Sequence, residues 1–377
     1  MSTSTAQSRS AMTSTAIERV AVIGTGLIGT SVALAAARVG CVVTGWDAEE
    51  ATARRSAARG GFSAGDSLAA SVAGAEVVVV ATPIETVPVL VTAALAAAPH
   101  AIVTDAASVK SRILTEVAAS APAEDLPRFV PGHPMGGSER SGPDHGAASV
   151  IDGIVWVLTP TEASDPNHVA RLETWIERIG ASPVRMDGAR HDRLVAVVSH
   201  LPQVASTALM SLAATEEADE PEILLLAAGG FRDLTRLAAS NPALWSDILL
   251  ANRGAVAHAI DLYVTRLQVL RDDVLAGEGE RVEATFDMAK RARLRLATKP
   301  KVRAGVAVLQ VVVPDRPGAL AQLTAALGEA GVNIEDLQIV HSAEGGRGTV
   351  HVTVAIEDAE AAAGVLSGRG LDPTRLA

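Results

Sequence analysis

The glycine-rich stretch at 20–33 constrains the fold of this chain more than any other feature. It reads VAVIGTGLIGTSVA, so a short apolar run leads directly into Gly24, Gly26 and Gly29. This pattern predicts a buried strand, a tight turn and a helix, with a steric role for each glycine. Gly24 permits the turn, Gly26 lets a pyrophosphate approach the backbone, and Gly29 lets the helix pack on its strand. The helix N-terminus then offers backbone N–H groups to the phosphates.

A second apolar run, at 41–46, follows the predicted helix and ends in Asp47, near the spacing at which a carboxylate meets an adenosine ribose. This pairing favours a dinucleotide site over a glycine-rich turn that binds no ligand. Asp47 would hydrogen-bond a ribose 2′-hydroxyl and repel a 2′-phosphate, so NAD is the expected cofactor, although Arg54 and Arg55 lie downstream and would partly compensate for that repulsion. The predicted cofactor-binding residues are Gly24, Gly26, Leu27, Ile28, Gly29, Asp47, Thr82 and Pro83.

Length, charge and cysteine content limit the possible classes of function. A chain of 377 residues predicts two or three domains. The formal net charge of −11 argues against a general nucleic-acid or anionic-membrane binder, because both need basic surface. No apolar run reaches the length expected of a membrane span. The single cysteine, Cys41, excludes an intrachain disulfide framework, so we expect a reducing, cytoplasmic compartment.

The order of the predicted elements divides the chain into a tail and three domains, with an overall α/β fold class. Residues 1–16, rich in Ser, Thr and Ala, are predicted to be a disordered tail. Alternating strands and helices predict a Rossmann-like parallel sheet domain over 17–186. Apolar residues at helical spacing predict an all-helical domain over 187–299. Residues 304–377 have the order βαββα, with a vestigial last strand near Leu371, which predicts a small α+β module.

Polar segments follow several predicted strands of the parallel sheet. Thr82-Pro83 follows one strand, 105–110 (DAASVK) follows the next, and 131–137 (PGHPMGG) follows a strand predicted at 129–131. The carboxyl ends of parallel strands meet at one edge of a sheet, where ligands bind. We therefore expect these segments to converge with the glycine-rich turn on one crevice.

His133 is the candidate general base. It lies among glycines and prolines at a strand end, where it can take a proton from a substrate hydroxyl. Ser108 either orients this imidazole or caps a helix. Three other histidines, His145, His168 and His191, have no motif around them and are interpreted as surface residues.

A second cluster lies in the helical domain. It consists of SHLP at 199–202, which contains His200, and GGFRDLTR at 229–236; the segment between them at 223–228 is predicted to be helical. Arg232 and Arg236 are four residues apart and would share a helix face, so one of them is suited to bind a carboxylate. No set of Cys, His, Asp and Glu has metal-ligand spacing, so no metal is expected.

Five segments in this order, GTGLIG, DAASVK, GHPMGGSE, VVSHLP and GGFRDLTRLAASNPALW, resemble those of the prephenate dehydrogenases of tyrosine biosynthesis. The resemblance covers nearly everything after Arg19, and the C-terminal unit is similar to an ACT regulatory domain. It implies NAD-dependent oxidative decarboxylation of prephenate to 4-hydroxyphenylpyruvate, with feedback regulation through the ACT domain. It also implies a homodimer.

The resemblance assigns roles to individual residues. In that family the histidine matching His133 accepts the proton of the ring hydroxyl, and the serine matching Ser108 orients it. The substrate-binding positions match His200, Arg236, Ser138 and Glu139; from its position alone, Glu139 is an outer gate or an exposed residue. In the ACT-like domain the resemblance implies an aromatic amino-acid effector, with tyrosine foremost, at Asp315, Pro317, Gly318, Ala319, Leu320, Asn333 and Ile334.

Three alternative functions stay open. Arogenate carries the same ring as prephenate and differs only in having a side-chain amino group in place of the keto group. Another Rossmann dehydrogenase, acting on a β-hydroxy acid or a cyclic imine, would use a lysine in the helical domain, where this chain has the His200 and Arg236 segments. A non-enzymatic sensor of a dinucleotide and an amino acid would not need His133 and Ser108.

Overall fold

The fold is described from a computed structural model, which covers residues 16–136, 141–297, 306–314, 316–341 and 347–376. The chain forms two compact units, 1–265 and 266–377. The tail predicted at 1–16 lies, except for its last residue, outside the described residues.

The first unit contains the predicted parallel sheet. Its five strands are β1 (Arg19–Ile23), β2 (Val42–Trp46), β3 (Ser63–Ala64), β4 (Val77–Val80) and β5 (Ile102–Asp105), in the spatial order β3-β2-β1-β4-β5. The accompanying helices are α1 (Leu27–Arg38), α2 (Glu50–Ala57), α3 (Leu68–Val72), α4 (Val87–Ala97) and α5 (Ser111–Ser120). Alternate residues of β1 belong to two separate apolar cores, one on each face of the sheet. Because both faces are covered, the central strands are apolar throughout.

A three-stranded sheet follows, and it places His133 differently from the sequence prediction. Its strands are β6 (Gly132–Pro134), β7 (Val155–Leu158) and β8 (Ser182–Arg185), with α6 (Pro166–Arg178) between the last two. The strand predicted at 129–131 is wrong, since Phe129 makes only an isolated bridge to Val103. Those apolar residues carry the chain from one sheet to the next. The strand begins at Gly132, and His133 lies within it, opposite Val157 of β7.

The helical part of the first unit begins after Asp187. Its helices are α7 (Gly188–Val195), α8 (Leu201–Glu216), α9 (Gly229–Thr235), α10 (Pro242–Ala251) and the first half of α11 (Arg253–Ala276), which continues into the second unit. The helix predicted at 223–228 is wrong, because this segment consists of turns. Leu225 and Leu226 are 81% and 78% exposed. An isolated short segment that buries no apolar face has too little to stabilise a helix.

A π-helical turn, Ala196–His200, joins α7 and α8 into one continuous helix, Gly188–Glu216. This helix is long and apolar enough to cross a membrane by length and composition, which corrects the expectation that no apolar run has that length. A core helix passes the same test. This one carries five buried polar residues, His191, Asp192, His200, Gln203 and Ser206, and it forms part of the helical domain.

The second unit contains α12 (Gly279–Ala297) and the small α+β fold predicted from the sequence. Its strands are β9 (Val306–Pro314), β10 (Ile334–His341), β11 (Arg347–Ala355) and β12 (Pro373–Leu376), and its helices are α13 (Ala319–Glu329) and α14 (Ala359–Gly368). The sheet is antiparallel in the order β10-β11-β9-β12. The vestigial last strand is present as β12, paired with β9, so the order of elements is βαββαβ.

Candidate functional site

The glycine-rich turn after β1 has the shape that a dinucleotide requires. Gly24 has a φ of +84°, and a Cβ there would lie 2.5 Å from Cγ2 of Thr82. A Cβ at Gly29 would lie 1.8 Å from the carbonyl oxygen of Gly24, so only glycine lets α1 begin so close to the turn. A Cβ at Gly26 would meet nothing within 4 Å. The position predicted to face the pyrophosphate is therefore open.

The remaining cofactor candidates surround this open space. The first turn of α1, which contains Leu27 and Ile28, has no side-chain cap and no acidic residue, so its N–H groups suit an anion. Asp47 is held against the glycine-rich turn: Oδ2 accepts hydrogen bonds from the backbone N–H and the hydroxyl of Thr25, at 2.8 and 3.2 Å. Pro83 precedes a short helical turn after β4 and is exposed.

Asp105 and Lys110 connect the end of β5 to the start of β6. Oδ1 of Asp105 accepts a hydrogen bond from the N–H of Gly132 at 3.2 Å, and Oδ2 forms an ion pair with the fully buried ammonium of Lys110. Nζ of Lys110 also donates to the carbonyl oxygen of Gly132 at 2.5 Å. These bonds hold His133 at the carboxyl end of the parallel sheet. Lys110 lies in the DAASVK segment, but nothing in that sequence pattern predicts this role.

His133 stands at one end of a hydrogen-bonded chain of side chains. Its Nδ1 lies 2.8 Å from Nε2 of His191, and Nδ1 of His191 lies 2.9 Å from Oδ1 of Asp192. The backbone N–H groups of Lys110 and Ser111, where α5 begins, each donate to the carboxylate of Asp192 at 2.8 Å. Burial raises the pKa of Asp192, but hydrogen bonds from His191 and Ser111 outweigh it and lower the pKa overall. Asp192 is therefore a carboxylate, which only accepts.

The Asp192 carboxylate determines the direction of each hydrogen bond from Asp192 through His191 to His133. Because Asp192 accepts, a neutral His191 carries its proton on Nδ1 and has a lone pair on Nε2. His133 then donates from Nδ1, and its own Nε2 is unprotonated. Burial, followed by the charges of His191 and Lys110, holds the pKa of His133 well below its ordinary value of 6.5. At neutral pH His133 is in the form that a general base needs.

One sequence-based interpretation near His133, that of His191, is corrected, and the role predicted for Ser108 stays a prediction. His191, interpreted as a surface residue, is only 1% exposed. Ser108 makes no hydrogen bond to His133 within the part of the chain that the structure describes, and Nδ1 is taken by His191 instead. In a regular helix His191 and His200 are about 2.5 turns apart and lie on opposite faces. The π-helical turn between them absorbs one residue, and both act electrostatically on His133.

His200 is buried with one ring nitrogen engaged. Nδ1 lies 3.3 Å from Nδ2 of Asn252, which also donates to the backbone oxygen of Asp192 at 2.8 Å. Nε2 is buried and has no hydrogen-bond partner among the described residues. The ring of Trp245 packs edge-to-face on His200, with centroids 6.1 Å apart. Burial lowers the pKa of His200 to about 4, although Asp192 opposes this. A bound ligand would satisfy the buried Nε2.

Arg236 begins a short 3₁₀ turn directly after α9 and is exposed. The helix face predicted for Arg232 and Arg236 is interrupted, because α9 ends between them. The turn packs on α8, where Nε2 of Gln203 donates to the carbonyl oxygen of Leu237 at 2.8 Å. Arg236 therefore lies beside the helix that begins after His200. Two other predicted substrate-binding residues lie outside the described residues: Ser138 and Glu139.

The predicted effector residues fall at opposite ends of the C-terminal sheet. Pro314, where β9 ends, pairs with Arg347, whereas Ile334 pairs with Val354, which in turn pairs with Ala307 where β9 begins. The two ends are about 23 Å apart along the strands. Near the first end lie Pro317, Gly318, Ala319 and Leu320, and at the second Asn333 and Ile334, whereas Asp315 lies outside the described residues. The separation arises because α13 spans the sheet between them.

Three family models match consecutive parts of the chain. Residues 32–185 match the model described as prephenate dehydrogenase, nucleotide-binding domain. Residues 187–288 match prephenate dehydrogenase, dimerization domain, and residues 307–367 match the ACT domain.

Individual proteins and solved structures are similar over most of their length. The prephenate dehydrogenase of Bacillus subtilis is 30% identical over 348 residues, which are 90% of this chain and 93% of the relative. A structure of Aquifex aeolicus prephenate dehydrogenase in complex with hydroxyphenyl propionate and NAD⁺ is 26% identical, with a TM-score of 0.70, covering 75% of this chain and 100% of that one. A structure of Synechocystis arogenate dehydrogenase is 29% identical, with a TM-score of 0.65, covering 74% and 99%.

Proposed function

This chain belongs to the prephenate dehydrogenase family, and on that basis we propose that it catalyses the oxidative decarboxylation of prephenate to 4-hydroxyphenylpyruvate. The family, the enzyme class, the NAD cofactor and the α/β fold with an ACT domain, all predicted from the sequence, are confirmed. The observation that supports the proposed reaction is the pair of hydrogen bonds that links Asp192 through His191 to His133. It provides a base at the carboxyl end of a dinucleotide-binding sheet.

The glycine-rich turn fits the cofactor. The open side of Gly26 and the uncapped start of α1 would hold the pyrophosphate, and Asp47 would hold the adenosine ribose. When bound, NAD⁺ accepts a hydride from the ring carbon that bears the substrate hydroxyl. Thr82, whose methyl group packs on Gly24, and Pro83 are proposed to line the same cleft.

His133 accepts the proton of the substrate hydroxyl and later returns it. Nε2 accepts that proton while the hydroxyl carbon becomes a carbonyl, and the imidazolium that forms keeps its Nδ1–H bond to His191. The carboxylate of Asp192, at the far end of the chain, stabilises the new positive charge without having to move. The ring carboxylate then leaves as CO₂, and its bonding electrons make the ring aromatic. His133 returns the proton to the phenolate oxygen, so the reaction consumes and releases no net proton.

Substrate binding is proposed for His200 and Arg236. The buried, unpartnered Nε2 of His200 supports its part, and the packing of the Arg236 turn on α8 supports the other. An arginine suits a carboxylate, and a histidine N–H suits any hydrogen-bond acceptor that the substrate carries. Ser108, Ser138 and Glu139 stay proposed site residues on the family resemblance.

The direct test of the proposed function is NADH formation on addition of prephenate, followed spectrophotometrically, with arogenate and a β-hydroxy acid as comparison substrates. We expect turnover with prephenate. Turnover with arogenate alone would replace the proposed substrate. Turnover with only the β-hydroxy acid, or with none of the three, would overturn the proposal.

The domain ranges, the assembly and the location also belong to this proposal. The proposed domains are 17–186, 187–299 and 304–377, and the ranges that match the family models support them. A homodimer is supported by the match to a dimerization domain and by the exposed Leu225 and Leu226. A cytoplasmic location is supported by the single cysteine, Cys41, which is buried and unpaired.

We predict that the enzyme prefers NAD⁺ over NADP⁺. Asp47 would repel a 2′-phosphate, and both nearby arginines already face carboxylates, since Arg54 pairs with Glu50 and Arg55 lies 3.6 Å from Asp144. Wild-type kcat/KM is expected to be about 10- to 100-fold higher with NAD⁺, and Asp47→Ser should reduce this ratio. The measurement is kcat/KM for both cofactors with each protein. Equal values for the wild type would contradict the assignment of Asp47.

The ACT domain is proposed to bind an aromatic amino acid, with tyrosine foremost, between two copies of the chain. The two predicted effector segments lie at opposite ends of one sheet, which is too far for one amino acid to touch both. Two copies packed in opposite directions would bring the segment at Gly318 of one beside Asn333 of the other. Gly318, with a φ of +88°, places open backbone N–H groups at the start of α13.

Truncation after Lys299 is predicted to spare catalysis and abolish feedback. The residues proposed for catalysis and substrate binding all precede α11 and belong to the first unit, whereas the C-terminal sheet belongs to the second. In the full chain, saturating tyrosine should change the apparent substrate affinity by about 5- to 150-fold. Initial rates with and without tyrosine test this in both proteins. If the truncated enzyme is inhibited as strongly as the full chain, tyrosine competes at the active site instead.

A further inference from the structure

Resting on the proposed function, we propose that Asn252 is a positioning residue that fixes the tautomer of His200, and that the site thereby selects a keto-acid side chain over an amino-acid side chain. Asn252 lies between α10 and α11, about sixty residues after Asp192 in the chain, and is buried. It belongs to none of the five segments that carry the family resemblance.

The orientation of the Asn252 amide is set by its neighbours. The backbone oxygen of Asp192 can only accept, so the amide group facing it at 2.8 Å is the NH₂ and not the oxygen. The second proton of the same NH₂ points to Nδ1 of His200, 3.3 Å away. Rotating the amide by half a turn would place two oxygens against each other. Nδ1 of His200 is therefore an acceptor.

This contact decides what His200 offers to a ligand. A neutral imidazole that accepts at Nδ1 carries its proton on Nε2. That Nε2–H is buried and has no partner among the described residues, so it is a donor that a ligand can satisfy. Burial holds the pKa of His200 near 4, so the neutral tautomer persists throughout the working pH range. The titratable groups that act on it are Asp192 and His191 of α7 and His133 of β6.

A buried donor distinguishes the two candidate substrates by their side chains. The prephenate side chain has a keto group and a carboxylate, both of which accept hydrogen bonds. The arogenate side chain replaces the keto oxygen with an ammonium group, which only donates. An ammonium facing Nε2–H leaves two buried donors without acceptors, and a site built to bond one group rejects the analogue that cannot form the bond. Nε2–H of His200 therefore donates to the keto oxygen of the prephenate side chain.

The test is Asn252→Asp, with Asn241→Asp as the matched control. The carboxylate introduced by Asn252→Asp can only accept, so the neutral ring of His200 would carry its proton on Nδ1. Its Nε2 would then be unprotonated at high pH. KM for prephenate should rise by about 10- to 100-fold at pH 9, the range for leaving one buried hydrogen-bonding group without its partner. It should recover towards pH 6, because the new carboxylate raises the pKa of His200 and a cationic ring again carries Nε2–H. Asn241 caps α10 through Oδ1, a role that aspartate preserves, so the control should match the wild type.

Two further measurements separate the possible failures. Wild-type protein labelled with ¹⁵N-histidine should show His200, assigned by loss of its signal in His200→Asn, as the Nε2–H tautomer. A signal from the Nδ1–H tautomer overturns the inference even if Asn252→Asp does not fold. A prephenate KM for Asn252→Asp that equals the control at every pH also overturns it. A wild type that oxidises neither substrate overturns the proposed function, while the tautomer spectrum still decides the role of Asn252.

Discussion

His133→Asn is expected to lower kcat by about 10²- to 10⁴-fold while NAD binding is unchanged, because it removes a positioned general base. Asparagine preserves a polar contact with His191 but cannot take a proton. The wild-type pH profile should have an acidic limb below pH 6.5, since Nε2 is lost as a base only when the pH falls through the lowered pKa of His133. That limb should be absent from the variant. The measurements are kcat across pH and NAD affinity by fluorescence titration.

His145→Asn is the matched control for this experiment, because His145 is exposed on a short turn of the same domain. It should have wild-type kcat and a wild-type pH profile. A His133→Asn variant that kept most of its kcat would show that the base is another residue, and His200 would be the next candidate.

Asp192→Asn is expected to lower kcat by about 10²- to 10³-fold, although Asp192 is two residues removed from the proton it controls. One half of an asparagine amide is a donor. In the place of Oδ2 it removes the acceptor of the Ser111 N–H, and in the place of Oδ1 it removes the acceptor of both the Lys110 N–H and the Nδ1–H of His191. In the second case the hydrogen bonds of the whole chain reverse, and Nε2 of His133 carries a proton. In both cases the charge that stabilises the imidazolium is gone. Steady-state kinetics with prephenate and NAD⁺ measure the effect.

Two companion variants show whether the effect belongs to the hydrogen-bonded chain. His191→Gln interrupts the chain without touching the start of α5, and should lower kcat over a similar range. Asp187→Asn makes the same chemical change at the exposed N-cap of α7, where Oδ1 accepts from the N–H of Arg190 at 2.9 Å. It should leave kcat unchanged. If both Asp192→Asn and His191→Gln had wild-type kcat, the hydrogen bonds that link Asp192 and His191 to His133 would have no role in catalysis.

The dinucleotide-binding turn was predictable because its chemistry is local. The positive φ of Gly24, the close packing at Gly29 and the open side of Gly26 are each a property of one residue and its immediate backbone. The convergence of Thr82 on Gly24 was also predictable, because parallel strands end at one edge of a sheet. The position of His133 was predicted to within a few residues, but its strand was assigned too early, because the apolar residues before it cross between two sheets.

The network behind His133 was not predictable from spacing. His191 and His200 lie on opposite faces of an ideal helix, and the extra residue of the π-helical turn brings both to act on His133. Asn252 lies at a helix end some fifty residues after His200 and contacts its ring. The buried ammonium of Lys110 contacts Gly132, where β6 begins 22 residues later. Such contacts depend on how helices pack against the sheet, and packing has no local sequence period.

The amino-acid sequence alone therefore decides the elements whose cause is short-range: the glycine turn, the strands buried on both faces, the family motifs and the predicted base. Only the tertiary structure decides the state of that base. Asp192 determines which nitrogen of His133 carries a proton, and Asn252 does the same for His200. The physical reason is that a neutral imidazole can carry its proton on either of two nitrogens, and the donor or acceptor that the fold places beside each ring decides which one.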